Sequence, residues 1–293
     1  MTTYKNLIFS SGSIRGLSYI GCIKSLKERG ILDGITTYVG VSAGSMISLL
    51  LYLEYTYEEI RELVLGLDFE MLKNIAGEHI LEYFSKFGID DGRKMRRLIE
   101  LCIEKKGNSP NITFKEAYER YGKSLIVIGC CLNDQSKEIF SHEYTPDVSI
   151  VDAIRISISI PFYYTMCEHR SRQYVDGAIT DTYPIDMFRD ELDVTLGFLI
   201  SCGQVYHKDC VNTIDSYAFS VYYSMMRQLE RLYLRLYGQQ TIMIVVNLGL
   251  LQFSLSRDEK EDIFDIGYSA TNKFFHSKRM KSLCDELHEK SKS

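Results

Sequence analysis

The sequence predicts an α/β fold with a largely parallel central sheet, contained in one domain. Three observations carry this expectation. Short apolar runs alternate with longer stretches of helical periodicity, the pattern of successive strand–helix–strand units. The 293 residues are 45% hydrophobic and 25% charged, ordinary values for a globular chain with a sizeable core. No Pro- or Gly-rich linker, internal repeat or low-complexity segment divides the chain.

The elements follow in order. Leu7 to Phe9 reads as a short buried strand. Ile14, Leu17, Ile20, Ile23 and Leu26 then recur at helical spacing, with Lys24, Lys27 and Glu28 opposite and Gly30 as the stop. Thr37 to Gly40 is a second strand, and "AGSMISLLLYLEY" after it is a helix apolar nearly all round, hence buried. From Tyr57 to about Lys106 the pattern is helical, broken at Gly66, Gly77, Gly88 and Gly92. Thr113 and Glu116 form a capping-box pattern that opens a further helix.

Residues 124–132 and 137–141 read as two strands, and Pro161 closes a segment rich in Ile and Ser. A strand ends at Val175, directly before Asp176-Gly177-Ala178. Residues 194–200 and 241–248 are the last two strands. The long helix between them carries Ile214, Tyr217, Val221, Met225, Leu229, Leu232 and Leu236 on one stripe, which reads first as a core-packing face and otherwise as a face that docks on a membrane or a partner chain. Ser256 and Glu259 cap the last helix, and beyond 280 the composition is that of a polar, frayed tail.

A net charge of −5 gives no electrostatic case for nucleic acid as a partner. The eight cysteines contain no C-x-x-C pair, so neither a zinc site nor a disulfide framework is expected; Cys130 and Cys131 read as core. "MTTYKNLIFSSG" lacks the basic start of a signal peptide, and Met46 to Leu53 is too short to span a bilayer. The expectation is a soluble, cytoplasmic protein; oligomeric state is not legible.

The strongest chemical signal is Gly40-Val41-Ser42-Ala43-Gly44, straight after a strand and straight before a buried helix. A serine on such a corner is pushed out of the backbone, and its small neighbours let the turn close. A helix N-terminus there favours developing negative charge. A second strand-to-helix turn, Phe9 to Gly16, should lie at the same end of the sheet. Its Gly12-Ser13-Ile14-Arg15-Gly16 turn can supply backbone N–H donors for an oxyanion. A phosphate loop would need Gly-Lys-Ser/Thr, which is missing; a dinucleotide fingerprint is incomplete, although Asp33 lies at a suitable distance for a ribose contact. Ser42 has two candidate bases, of which the first is Asp176, at a strand end before Gly177 and Ala178 where an exposed carboxylate could reach it, and the second a histidine later in the chain. A Ser–Asp–His order would require His207, His276 or His288, and all three sit in polar or terminal surroundings.

This set of motifs resembles the patatin-like phospholipases. In that family a glycine-rich loop, a G-x-S-x-G elbow and an Asp-Gly-Gly/Ala motif occur in this order. "LSYIGCIKSL", "TFKEAYERYGKSLIVIGCCLND", "DAIRISISIPFYY" and "LSRDEKEDIFDIGY" look like its intervening segments, so that the resemblance spans roughly residues 5 to 275. It implies a three-layer domain over residues 5–280, followed by the tail 281–293. It also implies Ser42 as nucleophile, Asp176 as base and the Gly12–Gly16 turn as oxyanion hole, with no metal or cofactor. The implied activity is a phospholipase A or related lipid acyl hydrolase working through an acyl-enzyme. The alternatives are an acyltransferase or neutral-lipid lipase on the same dyad, or a non-catalytic lipid binder. The sequence departs from the family at Ser11 and Ser13, where glycine is usual. Peripheral membrane contact is expected, with Arg93, Lys94, Arg96 and Arg97 as either the solvated face of a helix or the anionic-lipid contact.

Overall fold

In the computed structural model the described residues are 3–75, 83–201, 214–249 and 251–290. The strands are β1 (Asn6–Phe9), β2 (Thr37–Val41), β3 (Ser124–Cys131), β4 (Ser136–Phe140), β5 (Cys167–His169), β6 (Arg172–Asp176), β7 (Thr195–Ser201) and β8 (Thr241–Val245). They form a single sheet in the order β5-β6-β3-β2-β1-β7-β8, with β4 paired to β3 off this path. From β3 through β8 the neighbours run parallel, whereas β4 and β6 lie antiparallel to β3 and β5 antiparallel to β6. The helices are α1 (Ser18–Glu28), α2 (Ala43–Tyr52), α3 (Tyr57–Gly66), α4 (Arg93–Lys105), α5 (Phe114–Tyr121), α6 (Ile150–Ser157), α7 (Ile214–Tyr237) and α8 (Arg257–Lys290). A single turn over Tyr83–Lys86 precedes α4.

The period-2 geometry of a strand sends alternate side chains to opposite faces. Leu7 and Phe9 of β1 therefore join the main core with α1, α2 and α8, while Ile8 faces the other way. On that second face Ile8, Val39 and Leu199 pack with Tyr183 and Ile185, against Tyr233, Leu234 and Tyr237 of α7. The result is three layers, helix–sheet–helix. Phe9 stacks on Phe198 with ring centroids 5.0 Å apart, and Tyr19 meets Phe9 edge-on, which locks α1 onto the sheet.

Both expected capping boxes are present. Glu116 and Thr113 cap each other reciprocally, and Ser256 does the same with Glu259. A third, Thr56 with Glu59 at the start of α3, was not anticipated from the sequence. Cys130 and Cys131 are buried in β3 as expected. The last helix runs to Lys290, through residues whose composition reads as tail.

One expectation is overturned. The stripe on α7 does not pack into the core: Tyr217, Val221, Met225, Leu232 and Leu236 are all exposed. The helix instead turns its other side inward, with Tyr223 buried and Tyr233, Leu234 and Tyr237 on the sheet. Tyrosines, polar at one end, supply much of the inward face, which is why the stripe richer in aliphatic residues pointed to the wrong side. Among the described residues, no helix is long and apolar enough to cross a membrane.

Candidate active site

Ser42 stands between the end of β2 and the start of α2, with φ 53° and ψ −125°. This left-handed conformation costs a non-glycine residue about 1–3 kcal/mol and persists only where the surroundings enforce it. They do so by close approach. A Cβ on Gly40 would lie 2.4 Å from the Gly44 carbonyl oxygen, and one on Gly44 would lie 2.2 Å from that of Phe9. The Ser42 N–H donates to the Ser157 hydroxyl at 2.9 Å, and Ser45 Oγ donates to the Ser42 carbonyl at 2.6 Å. The corner is thus pinned from both sides of its peptide.

Strand register brings Asp176 to this corner. Val41 pairs with Ile128 in the parallel β2–β3 ladder, and the next residue of β3, Gly129, pairs with Asp176 across the antiparallel β3–β6 ladder. Ser42, one residue beyond Val41, is level with Asp176. Ser42 Oγ donates to Asp176 Oδ2 at 2.6 Å. Asp176 Oδ1 accepts the Ala178 N–H at 2.8 Å, while the Asp176 N–H donates to the Ser159 carbonyl at 2.9 Å. Gly177 allows this turn, since a Cβ there would lie 2.2 Å from the Ile128 oxygen. Asp176 is buried, not exposed as its strand-end position suggested, because it lies under the elbow against β3, and burial raises its carboxyl to about 7 against the partial pull of its bonds from Ser42 and Ala178. A carboxylate of that affinity is matched to proton transfer near neutrality.

The Gly12–Gly16 turn lies directly against the elbow, since a Cβ on Gly16 would come within 2.8 Å of the Ala43 Cβ. It is held by Ser10, whose hydroxyl accepts the Ile200 N–H at 2.9 Å and whose carbonyl accepts from Tyr19 Oη at 2.8 Å. The Arg15 N–H is used inside the turn, on the Gly12 carbonyl at 3.1 Å, and Arg15 Nε donates to the same oxygen at 3.3 Å. Among the described residues the N–H groups of Gly12 and Ile14 have no backbone acceptor, so the candidate donors narrow to the front of the turn. The positive φ falls on Ser13, at 48°, and not on Gly12, whose φ of −174° any residue adopts.

Two expectations follow for this loop. Ser13→Gly should stabilise the fold by about 1 kcal/mol, because serine is held where glycine is at ease, and should leave kcat unchanged or higher. Gly12→Val should lower kcat by roughly 10²–10³, the usual cost of one lost oxyanion donor. A Cβ at position 12 would lie 2.6 Å from Ile200 Cδ1, so the turn must shift. Thermal melts and kcat on a short-chain ester check both. A well-folded, fully active Gly12→Val protein would remove the loop from the chemistry.

Ser42 lies where two cavities meet. One, of about 110 Å³, is walled by the loop, Asp176, Phe162 and α7 through Tyr222, Tyr223 and Met226. The other, of about 140 Å³, is apolar and runs between α2, α3 and α4 past Met46, Leu50, Val64 and Leu98. No histidine lines either cavity among the described residues. His276 is exposed on α8; His207 and the side chain of His288 lie outside the described residues. A serine hydroxyl on a carboxylate, free N–H donors beside it and an apolar slot leading away make an arrangement suited to acyl transfer.

The basic cluster on α4 is spent locally. Arg93 pairs with Asp91, Arg96 with Glu100 and Asp152, Arg97 with Glu100 and Glu104, and Lys94 donates to the Lys73 carbonyl. Two residues escaped the sequence reading: Ser157 and Ser159, one holding the Ser42 N–H and the other the Asp176 N–H. Their signal was the Ser–Ile alternation before Pro161, in which buried serines had no partner yet in view.

A profile described as patatin-like phospholipase matches residues 7–189. The chain is 31% identical over 277 residues to an uncharacterized protein, R571, of Acanthamoeba polyphaga mimivirus, covering 90% of this chain and 91% of that one. It is 31% identical over 184 residues to the probable lipid hydrolase 463L of Invertebrate iridescent virus 6, covering 63% of each. Among solved structures it is similar in fold to VipD from Legionella pneumophila, with a TM-score of 0.65, 18% identity, and coverage of 94% of this chain and 67% of that one.

Proposed function

The chain belongs to the patatin-like phospholipase family, and we propose that within it this protein is a serine acyl hydrolase of glycerophospholipid esters, working through a Ser42–Asp176 dyad. The observation that carries the reading is the 2.6 Å hydrogen bond from the Ser42 hydroxyl to a buried carboxylate at a strained strand–helix corner.

The steps follow from the geometry. Asp176 accepts the Ser42 proton as Oγ attacks the ester carbonyl carbon, and the carbonyl oxygen becomes an oxyanion held by N–H groups at Gly12 to Ile14. The tetrahedral species collapses; Asp176 returns its proton to the departing alcohol, and the acyl group stays on Ser42. Water then attacks the acyl-enzyme and gives a proton to Asp176; the second tetrahedral species collapses to the free fatty acid as Asp176 returns that proton to Ser42 Oγ. The apolar cavity past Met46 and Leu50 suits the acyl chain, and the cavity beside Arg15 suits the rest of the lipid. The similarity to a probable lipid hydrolase supports a lipid as the substrate.

Mass spectrometry of products from mixed phospholipid vesicles tests the reading. Free fatty acid with the matching lysophospholipid is expected, together with labelling of Ser42 by a fluorophosphonate. A protein that neither labels nor releases fatty acid is not a hydrolase, and the site would then serve only to bind lipid.

A further inference from the structure

We propose that the outward face of α7 is the surface by which this protein docks on an anionic lipid bilayer. The proposal rests on the hydrolase reading, because it concerns how that site meets its substrate.

Tyr217, Val221, Met225, Leu232 and Leu236 are 63, 45, 54, 37 and 57% exposed. At 100° per residue all five fall within about a third of the helix circumference. Five large apolar side chains on one face of a single helix are more than the scatter of lone exposed hydrophobics that surfaces ordinarily carry.

Charge and position together identify the occupant. Arg231 and Arg235 are exposed on α7 along the margin of this face, and neither forms an ion pair among the described residues. They contrast with Arg96 and Arg97 on α4, whose guanidinium groups are neutralised by three carboxylates, Glu100, Glu104 and Asp152. An apolar helix face edged by unpaired arginines suits the boundary between acyl chains and anionic headgroups. The opposite side of the same helix, through Tyr222, Tyr223 and Met226, walls the cavity that opens onto Ser42. Phe162 and Ile179, which also line that cavity, are 52 and 38% exposed. A bilayer seated on α7 is therefore separated from the cavity of the nucleophile by that one helix.

The test uses the full chain carrying Ser42→Ala, so that vesicles are not consumed, and measures co-sedimentation with phosphatidylcholine vesicles with and without phosphatidylserine. Val221→Asp with Met225→Asp should weaken binding to both by about tenfold or more. Arg231→Gln with Arg235→Gln should weaken binding to the anionic vesicles alone, by roughly fivefold per arginine, and added salt should do the same. Arg97→Gln should change nothing. Binding that is indifferent to the α7 changes overturns the proposal. So does a wild-type dimer that Val221→Asp with Met225→Asp converts to a monomer, since the face would then belong to a second copy. Hydrolysis of a monomeric short-chain ester by proteins that keep Ser42 separates the two readings. Activity there with α7-independent vesicle binding defeats only the docking surface, whereas α7-dependent binding without any hydrolysis defeats only the hydrolase.

Discussion

Ser42→Ala is expected to lower ester hydrolysis by about four to six decades while the fold survives, since nucleophile and base act as a unit. The residue is 4% exposed and small, so alanine leaves no cavity of consequence. Its N–H bond to Ser157 and its carbonyl bond from Ser45 are backbone contacts that alanine keeps. Ser42→Gly should be equally inactive but more stable than the alanine protein, by about 1 kcal/mol. At φ 53° an alanine carries the same left-handed penalty as the serine, and glycine does not. The pair separates two properties of one position: chemistry is lost in both, and backbone strain is released in only one. Thermal melts beside turnover of a short-chain ester give both readouts. Turnover retained in either variant would remove Ser42 as the nucleophile, and equal melting temperatures would show that the corner is not strained in solution.

How much of this was legible in the sequence differs by residue. Gly40 to Gly44 announced itself because a turn between a strand and a helix, with glycines at fixed distances from a serine, is a local pattern set by sterics. Asp176 could be nominated but not placed. Its position depends on β6 running antiparallel to β3 at a register that pairs Gly129 with Asp176, and register between strands 40 residues and more apart is a non-local property. Ser157 and Ser159 were invisible for the same reason, because a buried serine reveals its purpose only when its partner is known. Ser13 was recognised as a departure from the family, and the consequence depended on where the turn places its positive φ, which lies at Ser13 itself. The α7 stripe failed in a different way. Helical periodicity identifies two faces but not which one turns inward, and here tyrosines on the inner face outweighed aliphatic residues on the outer.

Asp176→Asn should abolish activity about as completely as loss of Ser42, and yet make the protein more stable at alkaline pH. Asparagine fits the same contacts: its Oδ1 accepts from the Ala178 N–H, and its Nδ2 donates to Ser42 Oγ, which reverses the bond and removes the base. The stability change follows from linkage. The folded carboxyl titrates at about 7, against about 4 in the unfolded chain, so between those values the folded state holds a proton that the unfolded state has lost. Stability from this group is complete below the unfolded value, falls as pH rises, and levels off above 7, a loss of order 3–4 kcal/mol. Asparagine does not ionise and escapes that loss. The melting temperature of Asp176→Asn should therefore match wild type at pH 4 and exceed it by several degrees at pH 8. Wild-type kcat/KM should run the other way, rising about tenfold per pH unit below 7 and flattening above it, because only the ionised form can take the serine proton. A melting difference that does not change with pH, or a rate that falls as pH rises through 7, would mean that Asp176 is not the group whose burial sets both.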